Sequence, residues 1–168
     1  MNSFSSEYEC KLDDKGRLTL PARIKSTLPE NETMKIVLKR GFETCLTIYP
    51  HDEWEKIYEK VVSLNEFVKE DRLFQRMYLR GNTELDLDKS GRVGIPSSMR
   101  KYAQLEKEVL LVGLGNRIEI WNPDVYDEYL FSQQEKFSVL AEKYLGSDEV
   151  SEPKQQSADE EDDLKEAS

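Results

Sequence analysis

LDDKGRLTLPARIK (residues 12–25) and LDKSGRVGIPSSMR (residues 87–100) are one pattern written twice, 75 positions apart. Leu12/Leu87, Asp13/Asp88, Gly16/Gly91, Arg17/Arg92 and Pro21/Pro96 are identical, and Leu18/Val93, Leu20/Ile95, Ile24/Met99 and Lys25/Arg100 are conservative. The likeness runs on: MKIVLKR (34–40) matches VLLVGLG (109–115), and LTIYPHDEW (46–54) matches IEIWNPDVY (118–126) once a loop shortens by three residues. A duplication of this kind decides how everything around it is read.

Each copy makes physical sense as a strand, a tight turn and a second strand. An Asp opening D-x-x-G-R can accept backbone N–H groups across the turn, and the Gly takes a positive φ without steric cost. Asp13, Gly16, Asp88 and Gly91 are therefore turn-formers, and the turn delivers Arg17 or Arg92 at its exit. LTLP and VGIP alternate as a strand with one buried face should. Pro21 and Pro96 fit a first helical position, with Ile24 and Leu28, or Met99 and Ala103, facing inward behind them. Two further strands and a longer helix complete each unit.

A single hairpin is marginal in water, whereas two copies can interleave and cover each other's edges. The expected fold is mixed α+β: a pseudo-twofold, swapped-hairpin β-barrel made from two internal repeats and flanked by helices. The expected organisation is unit 1 over 7–54, connecting helices over 55–81, unit 2 over 82–125 and a C-terminal helix over 126–146. A disordered acidic tail over 147–168 follows. In the connecting region Trp54, Ile57, Tyr58, Val61 and Val62 form one stripe. Phe67, Phe74, Met77 and Tyr78 form another, beside a row of Arg72, Arg76 and Arg80 that suits a solvated face or a subunit interface.

The net charge of -10 is unevenly spread. Residues 147–168 hold nine acidic residues against Lys154 and Lys165, a net of -7, which leaves the rest at only -3. Within that body, 11–25 carry Lys11, Lys15, Arg17, Arg23 and Lys25 against Asp13 and Asp14, a net of +3. Residues 86–101 carry Lys89, Arg92, Arg100 and Lys101 against Asp86 and Asp88, a net of +2. Local surplus rather than total charge governs binding to a polyanion.

Other chemistries find little support. Asp86, Asp88, Ser90 and Gly91 imitate the start of a calcium loop, but its twelfth position is Ser97, where a bidentate glutamate is needed. Cys10 and Cys45 stand apart with His51 as the one histidine, which suits neither a zinc site nor nucleophilic catalysis. No enzyme, cofactor, metal or small-molecule substrate is expected. The N-terminus lacks the pattern of a secretory signal and no run reaches membrane-spanning length, so a cytoplasmic chain is expected.

The paired D-x-x-G-R…P units, together with CLTIYPHDEW (45–54), resemble the MraZ family over about residues 7 to 145. That resemblance implies two SpoVT-AbrB units and a transcriptional regulator that assembles into rings. It further implies binding to G-rich direct repeats of double-stranded DNA upstream of the division and cell-wall gene cluster and its own gene, and a nucleoid-associated location. It places DNA recognition on Asp13 to Arg17 and Asp88 to Arg92. Lys25 stands where relatives often carry Arg. Combined with groove chemistry, in which Arg or Lys pairs with guanine O6 and N7, the expectation is that Arg17 and Lys15 read bases. Arg23, Lys25, Lys89 and Arg92 hold phosphates, and Arg100 completes the cationic set. The alternative class is an AbrB-like antitoxin or protein-partner-binding module.

Overall fold

Both D-x-x-G-R turns form, and each joins a strand of one sheet to a strand of another. The computed structural model describes residues 3–29 and 34–146. The acidic extension over 147–168, expected to be disordered, lies outside the described residues. Each repeat reads in the expected order. Unit 1 gives β1 (Glu7–Lys11), β2 (Arg17–Thr19), α1 (Ala22–Thr27), β3 (Lys35–Arg40), β4 (Leu46–Pro50) and α2 (His51–Val62). Helix α3 (Lys69–Leu79) connects it to β5 (Thr83–Asp86), β6 (Arg92–Gly94), α4 (Ser97–Tyr102), β7 (Glu108–Gly113), β8 (Ile118–Trp121) and α5 (Pro123–Ser132).

The strands pair across the repeats. An antiparallel sheet runs β1-β7-β8-β4-β3-β5, so the first strand of each repeat lies against the third strand of the other. A separate two-stranded ribbon pairs β2 with β6. Among the described residues these ladders form an open six-stranded sheet plus a ribbon, not the single closed barrel expected. β1 and β5 are opposite edges of the sheet, and β1 reaches the ribbon only through an isolated Leu12–Leu18 bridge.

Side-chain alternation explains the layering. Ile36, Leu38, Leu46, Ile48, Val109, Leu111, Ile118 and Ile120 point to one face of the sheet. There they pack with Leu18, Leu20, Val93 and Ile95 of the ribbon arms and with Ile24, Leu28, Met99 and Ala103 of the short helices. The other face carries Val37 and Tyr49 under Trp54 of α2, and Leu110, Val112 and Trp121 under Val125 and Tyr126 of α5. Because both faces are covered, β3 and β7 each bury four residues in succession instead of alternating.

Two local expectations shift. Pro21 and Pro96 cap their helices from just outside, with ψ of 146° and 144°, and the helices begin one residue later. The single helix expected over 126–146 is broken: α5 is followed by a 3-10 turn at Gln134–Lys136 and then α6 (Phe137–Leu145). Ser132 to Lys136 is entirely polar, so the stretch has no apolar stripe to keep the helix packed. The chain divides here into a unit ending at Phe131 and a second beginning at Ser132.

Candidate nucleic-acid interface

The first turn is built by its aspartate. Asp13 Oδ1 accepts the Lys15 and Arg17 amides, both at 2.9 Å, and Oδ2 accepts Arg17 Nε at 2.6 Å. Gly16 closes the loop at φ +74°, its amide donating to the Asp13 carbonyl at 2.9 Å. The second turn repeats this closely. Asp88 Oδ1 accepts Ser90 and Arg92 amides at 2.9 Å, Oδ2 accepts Arg92 Nε at 2.8 Å, and Gly91 has φ +73°. The Arg17 amide, helped by the Arg17 guanidinium and the Lys15 amide, holds the Asp13 carboxyl below the usual carboxylate range, against a weaker opposing desolvation. Asp88 is lowered by the same set, led by the Arg92 amide.

The arginines are therefore not free surface cations. Each is tethered through Nε, while its two Nη groups make no hydrogen bond among the described residues. The tether restricts the side chain to one direction and leaves the guanidinium fork available. Arg17 and Arg92 keep 35% and 38% of their side-chain surface, enough for the fork to be reached.

Ribbon register sets where those forks point. Leu18 faces Val93 toward the core, so Arg17, Thr19, Arg92 and Gly94 share the outward face. Arg17 lies opposite Gly94 and Arg92 opposite Thr19, which makes the two arginines diagonal neighbours, roughly 7–8 Å apart by strand geometry. That is about two base steps of 3.4 Å. A two-stranded ribbon of this width fits the major groove.

The remaining cations divide. Lys15 and Lys89 are exposed at the turn tips, but not at equivalent positions, since Lys15 overlies Ser90 and Lys89 overlies Asp14. Lys25 lies against Gly91, and Arg100 lies against Gly16. Arg23 is not brought into this group. It stands two residues from Lys25, hence on the opposite side of α1, and lines a groove with Ser3, Ser5 and Tyr8. Sequence reasoning missed the crossing of Lys25 and Arg100 onto the opposite turns. Its one signal was a cation at the same place in both repeats.

Elsewhere, Glu43, Cys45 and Glu119 bring ligand atoms within 4.8 Å of one another, the one such group among the described residues. Burial, then the Glu119 and Glu43 carboxylates, push the Cys45 thiol up to about 12, which opposes the thiolate a metal would need. His51 opens α2, with its two ring nitrogens each 3.5 Å from a glutamate, Glu55 or Glu84. The Asp88 carboxylate, at the third position of the calcium-like run, has both oxygens engaged by its own turn.

Comparison with known proteins places this architecture. A family model described as "MraZ protein, putative antitoxin-like" matches the chain twice, over residues 3–77 and 78–147. The chain belongs to the MraZ family. A protein of Cytophaga hutchinsonii named "Transcriptional regulator MraZ" is 52% identical over 145 residues, covering 86% of this chain and 96% of that protein. One of Halothermothrix orenii with the same name is 42% identical over 138 residues, covering 82% and 94%. The two MraZ matches divide the chain between the repeats found in the sequence, and each contains one D-x-x-G-R turn. Among the described residues no helix is long and apolar enough to cross a membrane.

Proposed function

We propose that this protein is a transcriptional regulator that binds double-stranded DNA by laying the β2–β6 ribbon in the major groove. The observation that carries the reading is the pair of Nε-tethered arginines on one outward face. Arg17 and Arg92 pair their forks with guanine O6 and N7, Lys15 and Lys89 lie at the ribbon's tip, and Lys25 and Arg100 reach phosphates beside it. Both relatives carry a regulator's name, which supports transcription as the setting. The exchanged pairing of the repeats supports reading the unit as a swapped-hairpin relative of the SpoVT-AbrB barrel.

A few contacts from one protomer bind weakly at cellular salt. Assembly into a ring that meets successive G-rich direct repeats raises the effective concentration of each further contact. Two exposed apolar patches support such assembly. One is Phe42 with Leu73, Phe74 and Met77, beside the basic Arg76 and Arg80; the other is Leu130 and Phe131 on α5, beside Asp124, Asp127 and Glu128. Unlike patches of opposite charge meet head to tail, the arrangement that gives a ring where the rotation between neighbours closes. The operator is read as direct repeats upstream of the protein's own gene within the division and cell-wall cluster, on the nucleoid.

Footprinting on that upstream DNA tests the reading, with gel shifts of the protected duplex. Wild type should protect guanine-rich repeats, and Arg17→Ala should abolish the shift while its oligomer size by light scattering is unchanged. An unaltered shift with Arg17→Ala overturns the assigned reader. If no upstream DNA is protected at all, a module that binds a protein partner through the apolar patches becomes the better account.

A further inference from the structure

We infer that the two reading turns are clamped crosswise: Arg100, from the second repeat, is a positioning residue for the Asp13–Arg17 turn, and Lys25, from the first, for the Asp88–Arg92 turn. This rests on the DNA-reading function proposed above and assigns guanine selection at one turn to a residue of the opposite repeat.

Gly16 is buried although Asp13, Asp14 and Lys15 beside it are exposed. What covers it is Arg100. A Cβ placed on Gly16 would lie 2.6 Å from Arg100 Cζ, 2.7 Å from Nη1 and 2.8 Å from Nε. Near-equal distances to three atoms of one planar group mean that the guanidinium lies with that part of its plane over the glycine. Gly91 is covered by Lys25 in the same relation but more loosely, at 3.1 Å from Cδ, 3.6 Å from Cε and 3.7 Å from Nζ. The backbone is exchanged as well. Ile95 N donates to the Gly16 carbonyl at 3.0 Å, and Leu20 N donates to the Gly91 carbonyl at 2.9 Å. Each turn is thus held from above and from the side by the other repeat.

Arg100 also has an unmet need. Its Nε is shut off from solvent and has no hydrogen-bond partner, and its side chain makes no ion pair among the described residues. The residue as a whole is only half-buried, so an anion can reach its guanidinium, and a donor left without a partner is costly until one completes it. A phosphate beside the base read by Arg17 is an anion in the right place, because Arg100 already lies against that turn. The planar contact cannot be reproduced by an ammonium. The first turn, under a guanidinium, is accordingly the stringent reader, and the second, under a lysine stem, the tolerant one.

Two measurements test this on the full-length protein with Arg100→Lys, Arg100→Ala and Lys25→Ala. Amide hydrogen exchange, which needs no DNA, reads local opening. Arg100→Lys and Arg100→Ala should speed exchange at Lys15, Gly16 and Arg17 and leave Ser90, Gly91 and Arg92 unchanged, and Lys25→Ala should do the reverse. Exchange that rises only in the variant's own repeat, or in neither turn, overturns the clamp. The second measurement is anisotropy with a G-rich repeat duplex and a scrambled duplex of equal length. Arg100→Lys should lose about tenfold in the ratio of specific to scrambled binding. If the lysine variant restores the full ratio, Arg100 supplies charge alone and its positioning role fails. A wild-type protein that fails to prefer the G-rich duplex removes the proposed function, while the exchange pattern still decides the clamp.

Discussion

Arg17→Lys separates reading from mere attraction more sharply than an alanine does. Lysine keeps the charge, so phosphate attraction and its dependence on salt stay as they were. What it loses follows from the turn. Arginine donates Nε to Asp13 at 2.6 Å and still has two Nη groups for a base, whereas a single ammonium has to choose between Asp13 and the guanine. A good bidentate pair discriminates by about 1–3 kcal/mol, or about 5-fold to 150-fold per DNA box. A ring holding two boxes at once multiplies the loss, because each box contributes its own deficit. The assay is fluorescence anisotropy against G-rich and scrambled duplexes across a salt series. We expect an unchanged slope of log affinity on log salt, unchanged scrambled binding and a fall in the specific-to-scrambled ratio within that range. A ratio that survives the substitution would refute the reading, since Arg17 would then be contacting phosphate. Arg92→Lys, run in parallel, reports whether the second arm discriminates to the same extent.

Gly16→Ala should lower Tm, because the left-handed backbone alone costs a non-glycine residue about 1–2 kcal/mol, or about 2–8 °C in a chain of this size. Calorimetry should show a larger drop than for Gly115→Ala, where φ is +77° but no atom lies within 4 Å; equal drops would mean that Arg100 yields freely. Acid stability should depend on the two turn aspartates. Their folded pKa values lie below the ordinary 3.8, so their contribution is complete above that pH and is lost as pH falls through the folded values. Asp13→Asn with Asp88→Asn should therefore flatten the dependence of Tm on pH below about 4, while a dependence as steep as wild type would contradict the hydrogen-bond pattern.

The turns were legible because a turn is local chemistry. Asp, Gly and Arg at fixed offsets specify the bonds that Asp13 and Asp88 make, and the apolar alternation of Leu18 with Leu20 and of Val93 with Ile95 puts those residues in the core. The order of strands and helices was legible for the same reason, since each repeat repeats its own periodicities. Pairing was harder. That β2 meets β6 with Arg17 opposite Gly94 depends on contacts between distant segments, and no local pattern states a register. The unclosed sheet is of this kind too, whereas the break in the C-terminal helix follows a local signal, the polar run Ser132 to Lys136, that the single-helix reading passed over. Lys39 is a further example. Although it is a lysine within β3, it is 5% exposed, with Nζ donating to the Arg40 carbonyl at 2.8 Å and lying 4.1 Å from the Tyr78 ring centroid. The ring that covers it comes from α3, and desolvation lowers its pKa.

An acidic protein can carry the proposed DNA interface because the sheet separates the ribbon's cations from the carboxylates of α2 and α5. Lys15, Arg17, Lys25, Lys89, Arg92 and Arg100 belong to the turns, the ribbon and the short helices on one side of the sheet, where Asp13 accepts from the Lys15 and Arg17 amides and Asp88 from the Ser90 and Arg92 amides. Asp52, Glu53, Glu55 and Glu59 on α2, with Asp124, Asp127 and Glu128 on α5, belong to helices packed on the other side. Packed layers are about 10 Å apart, and charges are screened over about 8 Å at physiological salt. A phosphate at the ribbon therefore responds to the near cations far more than to the distant carboxylates. Replacing Glu55 and Glu59 by glutamine makes the net charge less negative by two and should leave the salt slope of DNA binding unchanged. Replacing Lys25 and Arg100 by glutamine makes it more negative by the same amount and should reduce the slope by about 0.9 for each phosphate that is no longer neutralised. Equal and opposite responses to the two pairs would show that DNA senses the whole protein's charge, and the division of the molecule into a reading side and an acidic side would have no functional meaning.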